Sequence, residues 1–337
     1  VVIRSIGGQT QIEKILAIPE TESGSGACEA QEIIQVLEKY EIKNELKCQC
    51  FDTTASNTSS EIGACKFIEE YVGSPILWCA CRHHVAELVM KKMNDLIIGK
   101  TTDPGVALFR RFRNQWDGIK KNIDYSALVI LNKTDLPQWM KEEAEKVLVW
   151  AENKLKSSTF PRGDYKELLT LLIVFLGGSV ENFSIQIPGA DHHARWLSKA
   201  IYYLKMSMLQ NIFKMSEIET QHVNLLARFV SVVYSKYWFT TPLAMSAARN
   251  DLSLYDLLLK YRQIDPTQAL ALMKVVRNHL WYLTPQLITL SLCDEGLSKE
   301  EREELAKTIY NTPREEITLG KPKFLSLSWS TKRPQLN

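Results

Sequence analysis

The chain has 337 residues, 45% hydrophobic and 24% charged, with a net charge of +2. These are the values of a globular protein with a real core, and they leave nucleic-acid binding to local clusters of charge. Seven cysteines with no secretory leader exclude a disulfide-stapled secreted scaffold, and the longest apolar run, Leu168 to Leu176, excludes a membrane span. The chain reads as intracellular, nuclear or cytoplasmic, and its opening "VVIRS" without a Met reads as a fragment.

In chain order, "VVIRSI" and "KILAIP" are strand-like and able to pair. "SGSGACEAQEIIQVLEKYEI" predicts a helix with Ile33, Ile34, Leu37 and Tyr40 on one face. "LKCQCFD" predicts a buried strand that ends at Asp52, and "SSEIGACKFIEEYV" a helix. "SPILWCAC" predicts a second buried strand, followed by the helix "RHHVAELVMKKMNDLI". Alternating strands and helices argue for an α/β sheet covered by helices. From about residue 105 the pattern is helical, cut by Pro137, Pro161, Gly177-Gly178, Pro188, Pro242, Pro266 and Pro285, with "SALVILNK" as the strand-like exception.

"CFDTTASNTS" delivers one carboxylate to a strand end and surrounds it with small polar residues. A strand-end aspartate is fixed yet accessible, which suits Mg²⁺ or Mn²⁺ chemistry on phosphates, and Asn57 offers a donor and an acceptor beside it. The same letters also spell a capping turn. Cys81 and His84 have C-x-x-H spacing on the next strand's end. Cys48, Cys50, Cys79 and Cys81 form two C-x-C pairs on neighbouring strands; their spacing is unusual for zinc, and packing is the favoured reading.

Asn132, Lys133 and Asp135 spell the guanine-reading N-K-x-D. The phosphate loop it requires is poor: in "NDLIIGKT" Asn94 stands where the first glycine belongs, before Gly99, Lys100 and Thr101. Arg110, Arg111, Arg113, Lys120 and Lys121 interleave with Phe109, Phe112 and Trp116, a pattern shared by nucleic-acid surfaces and by amphipathic helices with a basic face. Arg195 and Trp196 stand at a helix entrance, where they suit a base and a phosphate.

The strand-end aspartate of "FDTTASN", the C-x-x-H of "CRHH" and the downstream Arg195-Trp196 pair, in this order, resemble the hAT-like eukaryotic DDE transposases over roughly residues 1 to 310. The resemblance implies an RNase H-like mixed sheet interrupted by a mainly α-helical insertion. Residues 1–104 would be the first part of the core, 105–275 the insertion, 276–311 the returning helices and 312–337 a basic tail. It also implies metal-dependent cleavage and strand transfer at transposon ends, with DNA and further copies of the chain as partners and no membrane. Asp52 would be the second acid and metal ligand. Cys81 and His84 would be the structural pair, with Asn57 beside the acid, and Arg195 with Trp196 would handle DNA. The first acid would precede Val1. Pro285 and Gln286 stand where the third is expected, with Asp294 and Glu295 beyond them. On this reading the chain is transposon-derived and degenerate. The rivals are a non-catalytic nucleic-acid-binding or dimerisation module and, more remotely, a GTP-binding protein.

Overall fold

The computed structural model describes residues 1–4, 13–99, 106–157, 159–189, 196–242, 244–279 and 289–311. The described chain is mainly helical, with a small parallel sheet and a separate hairpin. It divides into two compact units. One holds Val1–His84, Leu243–Ala248 and Arg277–Asn337, and the other Val85–Pro242 and Arg249–Val276. The second therefore interrupts the first in sequence.

In the first unit, β1 (Val2–Arg4) pairs antiparallel with β2 (Glu13–Ile15). The helix α1 (Gly26–Lys39) starts at Ser25, whose hydroxyl accepts the Cys28 N–H at 3.4 Å. Strand β3 (Cys48–Phe51) lies parallel to β4 (Leu77–Ala80), with the short α2 (Ala55–Thr58) and α3 (Ala64–Val72) between them in the chain. Gly73 ends α3 with φ +76°, a conformation open to glycine at little cost. α1 and α3 pack through Ala30, Leu37, Ala64 and Ile68, and Trp78 of β4 closes on that cluster. The Trp78 indole N–H donates to the Glu69 carboxylate, whose pKa burial raises. The two strands are not buried as their apolar letters suggest. Each has one buried residue or none, because a two-stranded sheet cannot cover both of its faces.

Helix α4 (Arg82–Ile97) carries the chain across the division into the second unit. There follow α5 (Ala107–Asn114), α6 (Trp116–Lys121), α7 (Gln138–Ser157), α8 (Gly163–Phe175), α9 (Trp196–Met208) and α10 (Glu217–Phe229). A π-helical turn, Val230–Tyr234, joins α10 to α11 (Ser235–Thr240). Helices α12 (Ala247–Tyr261), α13 (Pro266–His279) and α14 (Lys299–Asn311) complete the order, and Pro266 sits at a helix start, where its missing N–H is harmless. α9 is buried nearly all round, through Ile201, Tyr202, Tyr203, Leu204, Met206 and Met208, and packs on α8 and α10. A helix apolar on every side must be central to its unit. Ser216 and Glu219 form a capping box at the start of α10. Among the described residues no helix is long and apolar enough to cross a membrane.

One expectation needs correction. "SALVILNK" forms no strand. It runs as irregular chain whose Val129 N–H donates to the Met208 carbonyl (3.0 Å) and whose Leu131 N–H donates to the Phe175 carbonyl (2.7 Å). Both acceptors are at C-terminal ends of helices, where carbonyls lack intrahelical partners. The segment's β-forming letters are thus satisfied by capping helices rather than by a ladder. At Asn94 the helix expected from the sequence is present, which leaves no phosphate loop there. That residue is buried inside α4, where its side-chain oxygen accepts from the Tyr203 hydroxyl. Lys100 and Thr101 lie outside the described residues.

Candidate functional site

Parallel pairing of β3 and β4 brings the two strand ends together. The Cys81 N–H, just past β4, donates to the Phe51 carbonyl at 2.7 Å, which places the start of α4 beside Asp52. The Cys81 carbonyl accepts the His84 N–H at 3.0 Å, so the C-x-x-H spans the first turn of α4. Asp52, Asn57, Cys81 and His84 are all half-buried.

One oxygen of Asp52 does local work. Its Oδ1 accepts from the Thr54 N–H (3.0 Å), the Thr54 hydroxyl (2.5 Å) and the Asn57 amide (2.9 Å). This is an aspartate turn, the structural alternative that the sequence left open. Burial pushes the Asp52 carboxyl up. The bonds from Thr54 and Asn57, with the charge of His84, more than offset that and hold it below the ordinary aspartate value. Asn57 is therefore a bracket for the carboxylate. Thr54 supplies two of the three bonds and was missed in sequence; the D-x-T spacing was the available signal.

The small residues after Asp52 have a second use. A Cβ on Gly26 of α1 would lie 2.4 Å from the Ser56 carbonyl oxygen and 2.3 Å from that of Ile62. A Cβ on Gly63 would lie 2.5 Å from the Ser59 carbonyl. The loop is small because another backbone presses on it.

Removing the bracket should be measurable. Asp52→Ala leaves three donors without their acceptor and is expected to destabilise the first unit by about 1–3 kcal/mol. Asp52→Asn keeps an acceptor and should lose much less. The sign with pH follows from the depressed carboxyl. Its contribution is present above the unfolded aspartate value, about 3.9, and is lost as pH falls through the folded value. Urea unfolding of both variants across that acid range checks this: Asp52→Asn should lack the acid-side loss due to this group.

Two divalent ions need several carboxylates. Asp52 is bonded to Thr54 and Asn57, and the charged group acting on it is His84. Asp294 is buried and accepts the Gly296 N–H at 3.0 Å, again as a turn aspartate, while Glu295 is exposed. Gln286 lies outside the described residues. Among the described residues no group of three or more His, Cys, Asp or Glu is arranged to hold a metal ion. The described residues thus do not fit a two-metal centre.

The basic stretch separates into two parts. Phe109, Phe112 and Trp116 are buried, with Phe109 stacked on Tyr202 at 4.5 Å and Phe112 against Phe213 at 4.9 Å. They are core residues and not platforms for bases. Arg111 makes a two-pronged bond to Glu219, at 3.0 and 2.7 Å, over the ring of Phe213. It ties α5 to the capping box of α10, and its bond holds the Glu219 carboxyl below the usual range. Arg110, Lys120 and Lys121 are exposed and Arg113 is half-exposed. Arg195 lies outside the described residues, and Trp196 opens α9.

The N-K-x-D residues form a turn before α7. The Asn132 side-chain oxygen accepts the Thr134 N–H at 2.9 Å, and Lys133 pairs with Glu145. No protein-family model, curated protein or solved structure matches the chain.

Proposed function

We propose that this chain is a transposase-derived protein of the hAT-like kind that binds DNA without cutting it. Three features of the first unit support the ancestry. Parallel neighbours β3 and β4 end at Asp52 and at Cys81-x-x-His84, and a separate antiparallel hairpin precedes them. The helical unit interrupts the first unit in sequence, between His84 and Leu243. An RNase H-like core is the finer fold that this order suggests. The observation that carries the non-cutting reading is Asp52 itself, with Oδ1 committed to a turn and His84 as the charge acting on it. Gln286 at the expected third position points the same way, since a neutral amide is a poor ligand for a hard divalent ion.

DNA binding on this reading uses the outer cations of α5 and α6: Arg110, Arg113, Lys120 and Lys121. Arg111 is assigned to structure. The four cations predict a slope of about −3 to −4 for log affinity against log salt, or roughly a hundredfold loss between 50 and 200 mM salt. Fluorescence anisotropy with a labelled duplex measures it, beside a nicking assay in Mn²⁺. Salt-steep binding without nicking is the expected result. Nicking that disappears in Asp52→Asn would replace this reading with an active enzyme. No binding at low salt would sink the DNA reading altogether.

A further inference from the structure

An aromatic cluster in the second unit has no part in the duplex reading. Trp150 of α7, Tyr165 of α8, and Trp238 and Phe239 of α11 come together from three helices. The Tyr165 ring lies 4.7 Å from that of Trp238 and 6.2 Å from that of Phe239. Phe239 lies 5.7 Å from Trp150 and 5.2 Å from Trp238. Trp238 is 3% exposed and anchors the cluster in the core. Trp150, Tyr165 and Phe239 each keep part of their surface in water.

Cations flank the exposed part. Lys146 and Lys154 stand one turn before and one turn after Trp150 on α7, and Lys236 one turn before Phe239 on α11. Glu143 reaches Lys146 only at 4.0 Å. The Arg162 guanidinium sits over the Tyr165 ring, 5.8 Å from its centre. Asp164 holds it through Nε (3.1 Å) and Nη2, which orients the group and uses two of its five N–H donors. The Arg162 side chain is still 53% exposed. From Lys146 to Lys166 the chain carries five cations, with Lys156 among them, against the two acids Glu152 and Asp164. That stretch alone holds +3 in a chain whose net charge is +2.

Aromatic clusters serve two kinds of ligand. A quaternary ammonium enters a cage of rings, drawn to their faces. Here the rings touch one another and cations surround them, so a cationic ligand has neither room nor attraction. A nucleobase instead stacks on the outer face of a ring while its phosphate meets a nearby cation. A duplex buries the faces of its bases in its own stack, whereas a single strand presents them. We propose that this cluster is a stacking platform for single-stranded nucleic acid, with bases on Trp150 and Phe239 and phosphates on Lys154, Arg162 and Lys236. The platform goes beyond the duplex reading and uses none of the α5 and α6 cations, so either can fail alone.

The test is fluorescence anisotropy of the full chain at low salt with a labelled oligothymidylate of about 12 nucleotides, within the usual span of such surfaces. A strand of the same length with abasic sites in place of bases carries the same charge. The wild-type chain should bind the thymidylate about tenfold more tightly, since stacking one base is worth a factor of this order. Oligouridylate run beside it distinguishes RNA from DNA as the source, and tighter binding of either than of the abasic strand supports the platform. Photocrosslinking with bromodeoxyuridine in the strand should label peptides of α7 and α11. Trp150→Leu, apolar but without a ring, should lose about tenfold for the thymidylate and nothing for the abasic strand. Lys120→Ala should weaken duplex binding only. Equal affinity for strands with and without bases, crosslinks confined to other segments, or no binding of either single strand overturns the proposal on the wild-type chain, without reliance on a variant's folding. Thymidylate binding without duplex binding would remove the earlier reading and support this one.

Discussion

Gly26→Ala is expected to destabilise the first unit far more than Gly24→Ala. The new Cβ would meet the Ile62 carbonyl oxygen at 2.3 Å, that of Ser56 at 2.4 Å and the Ala64 nitrogen at 2.7 Å. All three are backbone atoms, so no side chain can swing away. Either α1 withdraws from the loop or the loop moves. Overpacking of this kind costs about 3 kcal/mol. The loop is the one that brackets Asp52, so local protection from hydrogen exchange over 52–64 should fall with global stability. Gly24→Ala is the control. No atom lies within 4 Å of a Cβ there, and its effect should stay near zero. Urea midpoints and hydrogen exchange of the two variants decide the matter. A Gly26→Ala midpoint equal to that of Gly24→Ala would show that α1 does not press on the loop.

Glu167→Gln should destabilise the second unit by about 3 kcal/mol. Lys205 is 1% exposed on α9, its ammonium 2.5 Å from the Glu167 carboxylate of α8 and 2.7 Å from the Gln186 carbonyl. Burial lowers the Lys205 pKa, and Glu167 opposes that shift. Neutralising Glu167 leaves a buried ammonium with one carbonyl as its partner. Lys205→Met removes the charge and keeps an apolar stem of similar length, so it should cost less than Glu167→Gln. The pH dependence has a fixed sign. A lysine with a depressed folded pKa binds protons more readily when unfolded, so stability rises with pH between the folded value and about 10.4. In Glu167→Gln the depression deepens and the rise should begin at lower pH. Hydrogen exchange of α8 and α9 isolates this unit from the other. Equal costs for the two variants would argue against a charge effect.

The opening strands and helices were legible because their signals are local. Ile33, Ile34 and Leu37 repeat at helical spacing, and α1 covers them. Cys48–Phe51 is β-prone and runs to Asp52, and β3 occupies those residues. Pro137, Pro161 and Pro266 fall outside helix interiors, as a missing N–H requires. "SALVILNK" failed for an equally physical reason. Its composition asks for hydrogen-bond partners, and composition cannot say whether these are a neighbouring strand or the open ends of α8 and α9. The Arg and aromatic stretch was ambiguous in the same way. Its helical period fixed two faces, but the face that took Phe109 and Phe112 into the core was chosen by Tyr202 and Phe213, about a hundred residues away.

At the candidate site the sequence determined by itself the position of Asp52 at a strand end and the alternative of a capping turn around it, though Thr54 was not singled out. Contacts within a few residues need only the local order of side chains. The tertiary structure decided the rest: the approach of Gly26, the proximity of His84, the register that sets Cys50 opposite Cys79, the bond from Arg111 to Glu219 and the burial of Lys205. These contacts join residues brought together by packing of distant segments. Their energies come from close approach and loss of water, which no stretch of sequence specifies alone.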